Sequence, residues 1–499
     1  MSKLGFRTVI NQIVKFVKYF SLPFLLAIYT PLFFYSNNAD ILLLPSLYRV
    51  LSIFLVIGLC AYVISAMIFK GQNHYGATAT FIFLVFFNTY GVVYRFLKQL
   101  DLFQVEWYTF LPLYIFIACY LCWLSIRVAK ARFWKIIMIV LVTLNTFNIL
   151  KIIPVEIEKH KNPETPITAP VVNTNRETGL RPDIYYIILD EFAGFEAVRD
   201  YWGYSEIDSF VNFLETEGFF VAENSRSTTY RTIVEMASRL NYVNYDDGEA
   251  GRKYFDAIAY NQLMNDLKSL GYTTIVFDGA GGSFAYPGKT PILADYSFEF
   301  DPGKMQLQSF VLDEFGQMVI QNTMLEPFAS HLKEQDPLVS LVAQNILFTF
   351  EKIPQLDQEI SGPKFVYAHI MLPHEPFIFD QDGNINNAIN LHNWDYYLGG
   401  YIFATQKLQE LVESILAQAD PNNPPIIILQ SDHGARNLPT GNPDSILLQN
   451  YPESYRYCIM NAMYLPGYDT SELPDDFIPT NTFPLIMNFY FGFEIPLVK

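Results

Sequence analysis

The chain has 499 residues, a formal net charge of −17, and 51% hydrophobic residues. This composition excludes a disordered chain, a collagen-like fibre and a small disulfide scaffold. The charge is divided unevenly, because residues 1–155 carry 13 Lys and Arg against three acids whereas the remainder carries 20 basic and 47 acidic residues. A nucleic-acid partner is not expected for the acidic part, since phosphate backbones require a basic surface.

The first 155 residues contain five apolar stretches separated by short polar connectors. They cover roughly residues 17–36, 48–69, 76–97, 107–127 and 134–153. Each is close to the 20 or so residues that an α-helix needs to cross a bilayer. Lys and Arg are concentrated before the first stretch and between the fourth and fifth, which predicts a cytoplasmic N-terminus. We therefore expect a five-helix, multi-pass domain in the cell membrane, with everything after residue 155 extracytoplasmic.

A proline-rich polar stretch, residues 156–181, is expected to be a linker to a domain formed by residues 182–499. In this domain short apolar runs alternate with helical patterns at 253–270 and 401–418. The predicted strands are Asp183–Leu189, Tyr272–Phe277, Phe365–Met371, Pro425–Gln430 and Tyr457–Leu465. Uninterrupted apolar strands that alternate with helices predict an α/β domain with a largely parallel sheet covered on both faces.

Three of the predicted strands are followed by residues that could share a metal ion. Asp190 and Glu191 follow the first strand, His374 follows the third, and Asp432 and His433 follow the fourth. The carboxyl ends of parallel strands meet at one edge of a sheet, where ligands bind. Carboxylate and imidazole ligands suit Zn²⁺ or Mn²⁺. A single acid after a strand is more often a helix cap or a solvated loop residue, so the indication comes from the combination.

A segment rich in hydroxyl side chains, residues 223–232, precedes a helical pattern at 233–240. A hydroxyl at a helix N-terminus lies at the positive end of the helix dipole, which favours an alkoxide and nearby anions. Thr232 is placed to act in this way. The alternative is an ordinary N-cap in a loop rich in Ser and Thr.

Four motifs together resemble the alkaline phosphatase/sulfatase superfamily. They are the strand that ends at Asp190, the block Asn224-Ser225-x-Ser227 to Arg231-Thr232, Pro373-His374-x-Pro376-Phe377, and Ser431-Asp432-His433-Gly434. With five predicted spans, the chain is similar to the membrane-bound branch of lipoteichoic acid synthases and phosphoethanolamine transferases. The resemblance implies an alkaline-phosphatase-like α/β/α sandwich outside the membrane.

The resemblance also implies a site and a reaction. Asp190, Thr232, Asp432 and His433 would bind one divalent metal ion, with Thr232 as nucleophile and His374 in contact with the transferred phosphoryl group. The chain would then be a metal-dependent phosphotransferase or phosphodiester hydrolase that acts on a lipid-linked head group. Its partners would be a membrane lipid donor and a polysaccharide, glycolipid or polymer acceptor.

Further residues near these motifs have open roles. Arg436 and His369 are candidate substrate-binding residues. Arg436 could instead be a solvated loop residue, and His369, which lies within a strand, could be a core residue or a neighbour of the site. Glu191 is an alternative first metal ligand.

Two other functions remain open from the sequence. Sulfatases of this fold convert a Cys or Ser to formylglycine, and Ser227 has Arg231 at the required spacing but Thr229 where a Pro belongs. A catalytically silent scaffold of the cell envelope is the other alternative, although the retained ligand set argues against it.

Overall fold

The computed structural model describes most of the chain. The described residues are 3–39, 42, 44–70, 72–99, 106–128, 131–159, 181–248, 251–277, 294–298, 300, 314–327, 337–386, 394–435 and 452–498. They form two compact units, one of residues 1–162 with 312–333 and one of residues 163–311 with 334–499. Most of the predicted linker, and Arg436, lie outside the described residues.

The first unit contains long apolar helices. They are α1 (Lys3–Asn37), α2 (Leu44–Ile68), α3 (Asn73–Gln99), α4 (Trp107–Val128) and α5 (Ala131–Lys159). Within the part of the chain that the structure describes, four segments, in α2 to α5, are long and apolar enough to cross a membrane, and they correspond to the last four predicted spans. A membrane span in α1 stays a prediction. Helix α5 continues through Pro154 to Lys159, beyond the predicted start of the linker, because the residues after Pro154 include the good helix formers Glu and Lys.

The first unit also includes residues 314–327, which we name the insertion. The sequence assigns these residues to the outer domain, 182–499. In the structure, however, the short helix Glu314–Ile320 packs with α1 and α2. Phe315 and Val319 are almost fully buried there among apolar side chains of α1, α2, α3 and α5.

The second unit is built on a seven-stranded sheet with the order β2-β7-β6-β1-β5-β3-β4. Its strands are β1 (Ile184–Leu189), β2 (Phe220–Val221), β3 (Thr273–Phe277), β4 (Tyr296–Phe298), β5 (Lys364–Ile370), β6 (Ile426–Ser431) and β7 (Asn461–Tyr464). Five are parallel neighbours, β7 runs antiparallel beside β6, and β2 pairs antiparallel with β7 at the edge, so β2 has the same direction as the five. The last strand is shorter than predicted, because Tyr457 ends a 3-10 helix and the next two residues, Cys458 and Ile459, form isolated bridges instead of extending the strand.

Helices cover both faces of this sheet. They are α6 (Phe195–Trp202), α7 (Ile207–Thr216), α8 (Thr232–Asn241), α9 (Gly251–Ala259), α10 (Gln262–Ser269), α11 (Pro337–Lys352), α12 (Leu356–Glu359), α13 (Tyr397–Gln418) and α14 (Thr482–Phe491). Alternate residues of β1 belong to two separate hydrophobic clusters, Tyr185 to one and Tyr186 to the other. All six residues of β1 are buried, which explains its uninterrupted apolar sequence.

One predicted helix differs in the structure. The pattern at 253–270 forms two helices, α9 and α10, rather than one. The break is at Asn261, whose side chain accepts a hydrogen bond from the amide of Met264 and so caps the start of α10.

Candidate metal and nucleophile site

The centre of the sheet brings the candidate residues together. Strand β1 lies between β5 and β6, and Leu189 at its end is in register with Ile370 and Ser431. The residues that follow these three strands therefore emerge at the same carboxyl edge, where ligands of open α/β sheets bind.

Asp190, Asp432 and His433 form a buried group at this edge, with ligand atoms that all lie within 4.8 Å of one another. Asp432 is held by its Oδ1 atom, which accepts hydrogen bonds from the amides of Glu191 at 2.9 Å and His433 at 2.8 Å. Its Oδ2 atom is buried, accepts no hydrogen bond from the described residues, and lies 3.2 Å from Nε2 of His433. The Oδ1 atom thus fixes the side chain of Asp432, and the Oδ2 atom is left facing His433.

The ring of His433 is oriented by a main-chain carbonyl. Its Nδ1 atom is 2.8 Å from the oxygen of Gly434, so we assign the proton to Nδ1. The lone pair is then on Nε2, which faces Asp432. Metal-binding histidines have this arrangement: one ring nitrogen donates a hydrogen bond to the protein, and the lone pair of the other is available to a metal ion.

Thr232 is the first residue of α8, and its Oγ1 atom lies 3.3 Å from Nε2 of His433. Arg231 occupies the N-cap position, so Thr232 is not the capping residue that the sequence left as an alternative. The hydroxyl is buried at the positive end of a ten-residue helix. This position favours negative charge on the oxygen.

His374 borders the acidic side of the group. Its Nε2 atom is 4.0 Å from Oδ1 of Asp190 and 3.9 Å from Oε2 of Glu191, and its Nδ1 atom contacts the carbonyl of Glu375. The side chain is one-fifth exposed, unlike the fully buried His433. It is therefore accessible to a molecule that enters from solvent.

Two further residues from the sequence prediction lie beside Asp190. His369, on β5, places Nε2 3.4 Å from Oδ2 of Asp190, so it is a neighbour of the site rather than a distant core residue. Glu191 has a φ of +63°, and its amide bonds to Asp432. The group whose ligand atoms converge contains Asp190, however, and not Glu191.

Ser227 has different partners. Its amide donates to the carbonyl of Tyr457 at 2.8 Å, and its hydroxyl lies 3.5 Å from the same oxygen. Among the described residues, the hydroxyl next to His433 is that of Thr232.

Sequence reasoning missed a buried ion pair on α8, formed by Glu235 and Arg239. Their side chains are 1% and 0% exposed, and the charged atoms are 3.0 Å apart. Oε1 of Glu235 accepts hydrogen bonds from the amide and hydroxyl of Thr228 and from the amide of Thr229. Glu235 thereby fixes the segment that leads into Thr232.

Arg239 joins this helix to the end of β6. It donates to the carbonyl oxygens of Ser431 and Asp432, each at 2.8 Å. Burial alone would lower the pKa of Arg239, but the neighbouring Tyr186 and Glu235 raise it by more than burial lowers it. The pKa therefore lies above its usual value, and the guanidinium stays charged. The sequence feature that could have indicated this pair is a Glu and an Arg four residues apart on an otherwise largely apolar helix.

No protein-family model and no curated protein matches the chain. Comparison with solved structures gives matches. A protein of the alkaline phosphatase superfamily from Vibrio parahaemolyticus is 12% identical, with 65% of this chain and 69% of that chain covered and a TM-score of 0.42. The integral membrane phosphoethanolamine transferase EptA from Neisseria meningitidis is 13% identical, with 89% and 88% covered and a TM-score of 0.37.

The lipoteichoic acid synthase LtaP from Listeria monocytogenes is 14% identical, with 65% of this chain and 76% of that chain covered and a TM-score of 0.37. These matched structures include members of the families that the sequence motifs resemble. Because the identities and TM-scores are low, we base the proposed function on the residues of this chain.

Proposed function

We propose that the chain is a membrane-anchored, metal-dependent enzyme that transfers or hydrolyses the phosphoryl-containing head group of a lipid. One observation carries the proposal. Asp190, Asp432 and His433 converge in a buried group, and the hydroxyl of Thr232 lies 3.3 Å from His433 at a helix N-terminus.

The group has the composition of a site for one divalent ion. Tetrahedral ligands that each lie about 2 Å from Zn²⁺ are roughly 3–4 Å apart, so atoms within 4.8 Å of one another need little movement to share an ion. The buried Oδ2 atom of Asp432, which has no hydrogen bond among the described residues, fits a ligand atom. Two carboxylates, an imidazole and a hydroxyl suit Zn²⁺ or Mn²⁺. Asp190, Asp432, His433 and Thr232 would hold the ion.

Thr232 would act as the nucleophile in a double displacement. A divalent ion, when bound, stabilises negative charge on the hydroxyl and phosphoryl oxygens. The Oγ1 atom of Thr232 loses its proton and forms a bond to phosphorus, while the bond from phosphorus to the lipid alcohol breaks and that alcohol takes up a proton. The hydroxyl oxygen of an acceptor then loses its proton and forms a bond to phosphorus, while the bond from phosphorus to Oγ1 of Thr232 breaks and Oγ1 takes up a proton. Water as the acceptor gives hydrolysis.

His374 would contact the phosphoryl group. Its ring is partly exposed and borders Asp190 and Glu191, so an N–H at its Nε2 atom would donate to a non-bridging oxygen. Donors directed at developing charge are commonly the largest single contribution to catalysis. The donor would be a membrane lipid, and the acceptor a polysaccharide, glycolipid or polymer.

The proposed topology has a cytoplasmic N-terminus and an extracytoplasmic second unit. The insertion supports the second part. It contacts Tyr35 near the end of α1, and Phe87 and Arg95 in the second half of α3. If α1 and α3 cross in the same direction, as five spans require, these contacts lie on one side of the membrane. The insertion follows the last span in sequence, so that side is the side of the second unit.

The experiment is mass spectrometry of the peptide 223–239 from protein purified in its native membrane. A phosphoryl-containing mass on Thr232 is the expected result, and its size would identify the transferred group. Loss of two hydrogens at Ser227 would instead indicate formylglycine and a sulfatase. The protein variant T232A is the control and should carry no added mass. An unmodified wild-type peptide together with no bound divalent metal would overturn the proposal in favour of a silent scaffold.

A further inference from the structure

The insertion is held in the first unit by apolar contacts. Phe315 is 2% exposed and packs its ring edge-on against Tyr35 of α1, with ring centroids 5.8 Å apart. Val319, one turn later, is fully buried in the same cluster. An isolated helix of seven residues would not be stable in water, so its packing on the membrane helices maintains it.

The turn after this helix forms hydrogen bonds with the backbone of α3. The amide of Gly91 donates to the carbonyl of Asn322 at 3.0 Å, and the amide of Met324 donates to the carbonyl of Phe87 at 2.9 Å. Phe87 and Gly91 are four residues apart, so in a regular helix this carbonyl and this amide would bond to each other. The insertion therefore reaches the backbone of α3 within its helical hydrogen-bond ladder.

Gly91 makes this approach possible. A Cβ atom at this position would lie 1.9 Å from the carbonyl oxygen of Gln321 and 2.9 Å from Cα of Asn322, and both of these are backbone atoms. Any side chain would push the insertion away from α3. Glycine has a cost within a helix, about 1 kcal/mol relative to alanine. The close approach gives a reason for this glycine.

Arg95, one turn further along α3, adds side-chain bonds. Its guanidinium donates to the carbonyl of Gln321 at 2.7 Å and to Oδ1 of Asn322 at 2.6 Å. Thr323 is fully buried, and its hydroxyl closes the turn by donating to the carbonyl of Ile320 at 2.8 Å. The turn is thus a formed structure with a matched surface on α3.

We propose that the insertion is an intramolecular anchor that holds the part of the chain after the linker on the membrane helices without help from the linker itself. Its partner is the surface formed by Tyr35, Phe87, Gly91 and Arg95. The proposal concerns attachment and does not depend on the proposed catalytic function.

The experiment places a single protease site within residues 163–180 of the full-length protein in its membrane. After cleavage and washing, the fragment that contains the insertion is measured in the membrane pellet and in the supernatant. For the wild-type sequence we expect the fragment to stay in the pellet. For G91A we expect the released fraction to rise by about tenfold or more, which is the effect of losing several central contacts of an interface.

Two further variants complete the design. G58A is the matched control, because a Cβ atom at Gly58 of α2 would meet its nearest neighbours at 3.4 and 3.7 Å, which is ordinary contact. This variant should retain the fragment. R95Q removes charged donors without adding a clash, and should release an intermediate fraction.

A cross-linking measurement covers the case in which G91A fails to fold. In the double variant R95C/N322C, with the four native cysteines replaced by Ala, a short bifunctional maleimide should join the two fragments after cleavage, whereas either single variant in the same background should not. Release of the wild-type fragment after cleavage would overturn the proposal. Equal retention in the wild-type protein and in a folded G91A variant would overturn it as well.

Discussion

The guanidinium of Arg239 lies 2.8 Å from the main-chain oxygen of Asp432, so the helix that begins with Thr232 is bonded directly to the strand end that carries the candidate metal ligand. Glu235, on the same helix, bonds to Arg239 and to the segment before Thr232. One buried ion pair therefore fixes the nucleophile and the metal ligand relative to each other. Neither residue touches the reacting atoms, so both are positioning residues.

E235Q should destabilise the second unit strongly. It leaves the charge of Arg239 buried without its carboxylate, and loss of one partner of such a pair costs about 3–5 kcal/mol. The measurement is the unfolding of the purified protein in detergent, followed by heat or denaturant. E196Q is the control, because Glu196 pairs with Arg226 at 3.4 Å in a half-exposed position and should contribute less than about 1 kcal/mol. Equal stabilities for the two variants would contradict the role of the pair.

T232A should abolish turnover of a lipid phosphodiester, with a loss of about 10³-fold or more, as expected when a nucleophile is removed. T232S keeps a hydroxyl at the same place and should retain measurable turnover. The assay is release of the head group or of the lipid alcohol. T216A is the control, since Thr216 is an exposed residue of α7 and its variant should keep wild-type rates. Wild-type activity in T232A would show that the nucleophile is elsewhere.

D432N should weaken metal binding by about 100-fold or more, because an amide nitrogen is a far poorer ligand than a carboxylate oxygen. The asparagine can keep the two hydrogen bonds that Oδ1 accepts, so the fold should be preserved. Metal content after dialysis is the measurement. D420N is the control, because Asp420 is in an exposed loop where its Oδ1 atom accepts from the amide of Asn422. Undiminished metal binding by D432N would place the ion at another site.

The stability of the second unit should carry a pH dependence from Asp266. Burial is the main cause that raises the pKa of this carboxyl, although hydrogen bonds from Gln262 and Tyr242 act in the opposite direction. Its pKa in the unfolded chain is about 3.9. Its contribution to stability is therefore complete below that value and is lost as the pH rises through the folded pKa.

D266N should remove that part of the pH dependence. Because the asparagine stays neutral, the free energy of unfolding of D266N should decrease less than that of the wild-type protein as the pH rises from about 4 to 7. The asparagine oxygen can accept the bond that Gln262 donates to the carboxylate at 2.7 Å, and the asparagine NH2 can donate to the hydroxyl oxygen of Tyr242, which lies 3.2 Å from the other carboxylate oxygen. Parallel pH profiles for the two proteins would show that the folded pKa of Asp266 is normal.

The fold was largely predictable where one physical requirement governs a segment. The apolar length of α2 to α5 and the uninterrupted burial of β1 are each visible in the sequence. The insertion was not predictable, because its packing on distant helices depends on tertiary contacts. The helix break at Asn261 was missed for a different reason. The apolar spacing continues across this residue, so the pattern gives no sign that Asn261 caps a new helix.

The candidate site was predictable in part, because the apolar strands that alternate with helices indicate a parallel sheet. Residues after β1 and β6 were expected to meet because the carboxyl ends of parallel strands share an edge. Glu235 and Arg239 were not identified, because a charged pair on a helix is ordinarily a solvated surface pair. Its burial became evident only from the packing of α8 against the sheet.

The insertion also determines how the chain could be divided for expression. A fragment that begins at residue 181 would contain Phe315 and Val319 but none of the helices that bury them. These side chains would then add apolar surface exposed to water, which promotes aggregation. A short polar connector in place of residues 312–333 would remove that surface, so a useful fragment follows the spatial grouping of segments and not their order in the chain.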